Sequence, residues 1–203
     1  MDTTIQSIMQ LLQLSERLKF ELRHSWLSNG RQESVAEHTW QMALMAILAA
    51  RHLEHPINLE RVLKMILVHD LVEAEAGDVP FFEVSERRDS KTQREQAAIA
   101  HIRDLLADET GQEIYDLWYE FEERQTYEAK FATALDHLEV QIQHNFADLS
   151  TWEPIEYGLV YTKMDTPCEH DAFLQKFCAA VKQQAENKLQ QAGVDVEMIK
   201  NNV

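Results

Sequence analysis

Long stretches of this chain run without punctuation, because its 203 residues contain only five glycines and four prolines. A many-stranded sandwich needs turn residues roughly every ten positions, so this scarcity points to helices joined by short turns. The apolar spacings agree. Thr3 to about Phe20 carries Ile5, Ile8, Leu12 and Leu18 at helical intervals, and a polar loop follows from Arg23 through Asn29-Gly30-Arg31. Ser34-Val35-Ala36-Glu37 matches a capping box and opens a second helix, expected to reach about His55, where Pro56 stops it. Asn58 caps a third, Leu59 to Ala76, which Gly77 ends. A loop crosses Asp78-Val79-Pro80-Phe81-Phe82. Further helices are expected over about Ser90 to Leu106, from a second capping-box match at Thr110-Gly111-Gln112-Glu113, and over about Tyr127 to Leu149. After an irregular Trp152-Glu153-Pro154 region, a last long helix spans about Glu169 to Gln191, and Val194 to Val203 forms a frayed end. The expectation is one all-α domain over residues 1–203.

The hydrophobic share of 45% and charged share of 27% are those of an ordinary globular protein. A formal net charge of −16 repels a long polyanion unless a basic patch outweighs it. The best cluster, Arg87, Arg88, Lys91 and Arg94, is interleaved with acids, so nucleic acid is not an expected partner. A small phosphorylated metabolite is, because one metal and one or two cations can hold it locally. The amino terminus lacks the basic and apolar runs of a secretory signal, and the apolar run from Met42 to Ala50 is too short to span a bilayer. Cys168 and Cys178 lie ten apart on one expected helix, roughly 15 Å by the helical rise, too far for an intramolecular disulfide. Free thiols fit a reducing cytosol, so a cytoplasmic protein is expected.

Histidines and acids fall on apolar helix faces. Val35, His38, Met42, Met45 and Ala49 make one stripe on the second helix. Val62, Met65, Ile66, His69 and Glu73 make another on the third, with Asp70 beside His69. On the sixth, Phe131, Leu135, Leu138 and Ile142 form the stripe that Asp136 borders. Two imidazoles and several carboxylates thus face one interior. Buried carboxylates are costly unless they meet a cation or donors, and a divalent metal would satisfy Asp70 and Asp136 together. Spacing alone leaves the alternative open, since one His on an apolar face is usually a core residue with one hydrogen bond.

The ordered set resembles the HD superfamily of metal-dependent phosphohydrolases. It is carried by Glu33-Ser34-Val35-Ala36-Glu37-His38, then Val68-His69-Asp70-Leu71-Val72-Glu73, then Gly77-Asp78, then Glu128-Ala129-Lys130-Phe131 and finally Asp136. The wording is most similar to the branch of bacterial 5'-deoxynucleotidases and related eukaryotic HD-domain-containing proteins, over about Leu11 to Tyr157. The resemblance implies a compact multi-helix HD-domain bundle with its motif core at about 11–157 and the helix at about 169–191 outside it. It also implies a homodimer, and one divalent cation held by His38, His69, Asp70 and Asp136. The implied reaction is removal of the 5'-phosphate from nucleoside monophosphates. Two imidazoles with two carboxylates suit Mn, Co, Fe, Ni or Zn, with Mg a further option. By the same resemblance Glu73 positions or deprotonates the attacking water, and Asp78 handles the leaving oxygen or a sugar hydroxyl. Arg23 aligns with a phosphate-binding arginine, and Arg31 either holds the loop or touches substrate.

Some features stand outside that pattern. His24 takes the place of an aromatic residue that helps select deoxyribose, which weakens the expected discrimination between sugars. Phe81-Phe82 is either a base-stacking wall or core cover. His52 and His55 are expected to be exposed and the stretch Trp118 to Glu123 to serve packing; His137 and His144, seven apart on one face of the sixth helix, have the spacing of a second metal site but no acidic partner forced toward them. With one metal and a short arginine loop, monophosphates are expected over triphosphates. The rival readings are an HD enzyme for a triphosphate, cyclic nucleotide or alarmone, and a non-catalytic nucleotide or metal sensor.

Overall fold

The computed structural model describes residues 3–202. α1 (Thr3–Ser15) passes through a tight helical turn at Glu16–Lys19 into an antiparallel hairpin, β1 (Leu22–Trp26) and β2 (Gln32–Ser34). α2 (Val35–Ala49), α3 (Leu59–His69) and the one-turn α4 (Glu73–Ala76) come next. α5 (Glu86–Asp89) and α6 (Lys91–Leu106) lead to α7 (Glu109–Glu123) and α8 (Tyr127–Phe146). The chain closes with α9 (Pro154–Thr162), α10 (Asp165–Cys168), α11 (Ala172–Gln191) and α12 (Val196–Lys200). The fold is all-α, with strand confined to that hairpin among the described residues.

α8 is the axis of the bundle, packed against α2, α3, α7 and α11. Its Phe131, Leu135 and Leu138 meet Met42 and Ala46 of α2, Met65 and Ile66 of α3, Leu117 and Phe121 of α7, and Leu174 and Val181 of α11 in one core. Each large apolar side chain buried there contributes roughly 1.5–3 kcal/mol. The capping box at Ser34 forms as expected: its side chain accepts from Glu37 N–H, and the Glu37 carboxylate accepts from Ser34 N–H at 2.9 Å. Asn58 caps α3 by accepting from Arg61 N–H at 3.1 Å. No described helix is long and apolar enough to cross a membrane.

Several expectations are corrected. The polar loop from Arg23 is a hairpin, and its register slips between Leu22 and Trp26, so β1 is irregular. The helix expected from Leu59 to Ala76 breaks after His69. Leu71 N–H turns back to Val68 O and Glu73 N–H to Asp70 O, so Asp70 leaves the helical path and Glu73 belongs to a separate turn. Gly77 ends that turn at φ +72°. Asp108, not Thr110, caps α7, because its carboxylate reaches the N–H groups of Thr110 and Gly111. Pro154 starts α9 rather than breaking the chain, since a proline in the first turn forfeits no hydrogen bond. The helix expected from Glu169 begins only at Ala172, capped by Asp171. Cys168 and Cys178 therefore lie on different helices, and the separation along one helix does not apply. Both are free and buried, and their thiols share a hydrogen bond. The frayed end also fails over Val196–Lys200, where Asp195 caps α12 and Val196 is buried; Val203 lies outside the described residues.

Candidate active site

Three helices of the core deliver one cluster. His38 on α2 is fully buried; its Nδ1 lies 2.5 Å from the Glu139 carboxylate of α8. Its Nε2 faces Asp136 Oδ1 at 3.2 Å and Asp70 Oδ2 at 3.8 Å. His69, the last residue of α3, donates from Nδ1 to Ile66 O at 2.7 Å, and its Nε2 stands 3.1 Å from Asp70 Oδ2. Each imidazole is thus oriented through one nitrogen, and each leaves a buried Nε2 without a hydrogen-bond partner. His38, His69 and Asp136 offer one atom apiece within 4.8 Å of one another. Ring nitrogens fixed by their far side and aimed at carboxylates are the donor set a divalent cation takes up.

The electrostatics agree with that fit. Burial alone would raise the Asp70 carboxyl, but His69, Arg23 and His38 outweigh it and hold it well below the usual range. Asp136 is likewise raised by burial and more strongly lowered by His38 and His69. At His38, burial and the Arg23 charge pull down, yet Glu139 and Asp136 push the imidazole up to about 10. The cluster favours positive charge at the point where these groups meet.

Around it lie the other expected residues. Glu73 is buried, with Oε1 3.7 Å from Lys91 Nζ and Oε2 without a hydrogen-bond partner. Burial, then Asp70 and Asp78, raise its carboxyl well above the ordinary value, which suits a group that must take a proton. Asp78 follows Gly77 and is held by its N–H donating to Glu21 Oε1 at 3.0 Å. Arg23 reaches Asp70 Oδ2 from β1 at 3.3 Å. Arg31 does not join them. It is exposed, pairs with Glu37 Oε1 at 2.6 Å and donates to Gln32 O at 3.0 Å, so it braces the capping box.

A cavity of about 480 Å³ opens from this cluster. Arg23, His24 and Ser25 are consecutive yet all line it, which a regular pleat with alternating faces does not allow. The irregularity in β1 makes that possible. On the far wall His24 Nε2 lies 3.4 Å and His144 Nε2 3.8 Å from Glu156 Oε1 of α9. His24 also meets Phe82 edge-on, at 5.0 Å between ring centres. Burial pushes His144 down to about 4 and Glu156 up to about 7. His144 therefore does have an acidic neighbour, contrary to expectation, supplied by a helix the proline had obscured.

Glu33 is buried with Oε2 3.8 Å from Arg23 Nε, and the sequence reading assigned no role at the site to it, to Glu139, Lys91 or Glu156. For Glu139 a signal existed: it falls four residues after Leu135 on the buried stripe of α8, where an acid must have a partner.

The sequence model for the HD domain matches residues 15–172. Among curated proteins, "5'-deoxynucleotidase HDDC2" of Xenopus laevis is 36% identical over 140 residues, 68% of this chain and 67% of that protein. The Danio rerio protein of that name is 37% identical over 147 residues, covering 70% of this chain and 71% of its own length. The solved structure described as a predicted metal-dependent phosphohydrolase from Magnetospirillum magnetotacticum MS-1 superimposes with a TM-score of 0.79 at 30% identity. It covers 92% of this chain and 95% of its own.

Proposed function

The chain belongs to the HD-domain family, and on that premise we propose that it removes the 5'-phosphate from deoxyribo- and ribonucleoside monophosphates. One divalent cation would be held by His38, His69, Asp70 and Asp136. The observation that carries this reading is the pair of buried, unpartnered Nε2 atoms converging on two carboxylates. Relatives named 5'-deoxynucleotidase supply the substrate class.

When bound, a divalent cation supplies Lewis-acid polarisation of the phosphate and lowers the pKa of water. The donor set favours Mn, Co, Fe, Ni or Zn over calcium. Glu73 takes the proton of the attacking water at its free Oε2, while Lys91 steadies Oε1. Arg23 offers its guanidinium to a phosphate oxygen, the planar fork suiting that geometry. Asp78, fixed by Glu21, faces the leaving oxygen or a sugar hydroxyl. His24 stands where an aromatic residue would press on the sugar, so discrimination between deoxyribose and ribose is weak.

The molecule works as a homodimer in the cytoplasm. α2 is apolar on both sides, its outer face exposing Trp40, Leu44, Ile47 and Leu48. A helix that is hydrophobic all round is normally covered. Two buried free thiols suit a reducing compartment.

Phosphate release from a panel of nucleotides, each with several divalent metals, tests the reading. Turnover of monophosphates in preference to triphosphates is expected, with deoxyadenosine and adenosine monophosphates within about tenfold of each other in kcat/KM. No release from any monophosphate with any metal overturns it.

A further inference from the structure

Arg88 and Lys163 stand in an unusual relation for so acidic a chain. Both line the cavity, and both address the ring of Phe81: Lys163 Nζ lies 2.9 Å and the Arg88 guanidinium carbon 5.4 Å from its centre. Neither forms an ion pair among the described residues. The Arg88 side chain has one long hydrogen bond, to Val79 O at 3.5 Å. Burial first, and then the Arg88 charge, lower the Lys163 ammonium, with no carboxylate pulling the other way. Asp70, Glu73, Asp78, Asp136 and Glu156 also line the cavity, yet none of them forms an ion pair with either cation. Like charges held side by side are costly, and an aromatic face offsets only part of that cost. An anion between them removes that cost.

Their position narrows what the anion is. Val79, the acceptor for Arg88, follows Asp78, and Lys163 lines the cavity together with His137, which follows Asp136. The pair therefore borders the end of the cavity that holds the carboxylates and imidazoles, without entering that cluster. We propose that Arg88 and Lys163 form a second phosphoryl subsite, taking a phosphoryl group that the nucleotide carries on its sugar in addition to the 5'-phosphate. The substrate class is then a nucleoside bisphosphate as well as a monophosphate. Counting Arg23 alone underestimated the charge this cavity can neutralise. The inference rests on the nucleotide reading of the site. The same chemistry could also come from free inorganic phosphate, and the test separates the two.

The measurement is kcat/KM of the metal-loaded protein on deoxyadenosine 5'-monophosphate and on deoxyadenosine 3',5'-bisphosphate, for wild type and for the double variant R88Q/K163Q. A preference for the bisphosphate on the order of tenfold is expected in wild type, falling toward unity in the variant, since charge-assisted hydrogen bonds to the second group are lost. A purely structural role for the pair would lower the melting temperature and leave the ratio between substrates unchanged, which overturns the proposal. Calorimetric titration with inorganic phosphate forms the second arm. If no bisphosphate preference exists but wild type binds one more equivalent of phosphate than the double variant, the subsite holds free phosphate and not a substrate group, and the substrate-borne form is overturned. If neither nucleotide is hydrolysed, the nucleotide reading falls on its own. Equal phosphate binding by wild type and variant then overturns the subsite as well.

Discussion

Two groupings of histidine and carboxylate stand along the cavity as its two walls, the first presenting Asp70 and Asp136 with His38 and His69 behind them, and they reach opposite electrostatic states. At one, His38 and His69 face Asp70 and Asp136, and the histidines are raised while the aspartates are lowered. At the other, His24 and His144 face Glu156, and burial wins: both histidines are lowered and the glutamate is raised to about 7. The difference lies in how many charges meet and how closely. Two carboxylates with Glu139 behind them and Arg23 beside them offset the cost of removing charge from water. A single carboxylate that also accepts Glu153 N–H at 2.7 Å cannot do this for two imidazoles. One wall suits a cation. The other is largely neutral below about pH 7, where Glu156 keeps its proton.

Removing a group from the charged wall should have the largest effect. His69→Ala or Asp136→Ala is expected to take bound divalent metal from about one per chain to near none, with lowered stability because a half-buried carboxylate loses its partner. Elemental analysis of the purified variants checks this, and full occupancy in Asp136→Ala would mean that the wall does not act as a unit. The same measurement on Glu156→Gln should show no loss of metal, and a loss would erase the contrast.

Glu73→Ala probes the charged wall one step out. Metal content should stay near that of wild type while turnover falls by a factor on the order of 10² to 10⁴. Near-normal turnover with metal bound would move the proton-accepting role to another group, with Asp78 the next to test.

The smallest effect belongs to the neutral wall and appears only as a function of pH. Glu156 titrates near 7 in the folded chain against an ordinary 4.5. Its contribution to stability is complete below the lower value and is lost as pH rises through the higher one. Glu156→Gln removes that loss, so between about pH 4.5 and 7 the variant should gain on wild type by on the order of 1–3 kcal/mol. His144 works the other way, its contribution being lost as pH falls from 6.5 through about 4. Urea unfolding of both proteins at pH 5 and pH 8 measures the difference. Parallel changes would show that Glu156 is not a neutral group in the fold.

The two walls were also unequally legible in the sequence. His38, His69 and Asp136 could be found because they ride on long helices whose apolar stripes fix which side faces inward. Asp70 and Glu73 were identified by their motif, but their placement was not, because nothing in Leu71-Val72 forbids a helix and the break there depends on tertiary packing. The neutral wall comes from β1 and α9. β1 is short and irregular, with too little alternation to announce itself. α9 opens on a proline that is ambiguous between stopping a helix and starting one. Glu139, Glu33 and Glu156 were passed over for one shared reason: buried acids look like surface residues until their partners, distant in the chain, are brought to them.

Gly77 has no reacting atom and touches no substrate, yet it is among the least replaceable positions near the site. Its φ of +72° with ψ of 149° lies where essentially only glycine is found. A Cβ there would come within 2.3 Å of Arg87 Nη2 and 3.1 Å of Glu21 Oε1. Glu21 is also the acceptor that fixes the Asp78 backbone. For anyone varying this enzyme in the laboratory, position 77 is therefore a trap. A library that spares the histidines and acids but randomises the turn beside them will be depleted at a residue with no chemistry of its own. Clones lost there will resemble active-site failures while their metal-binding groups remain intact.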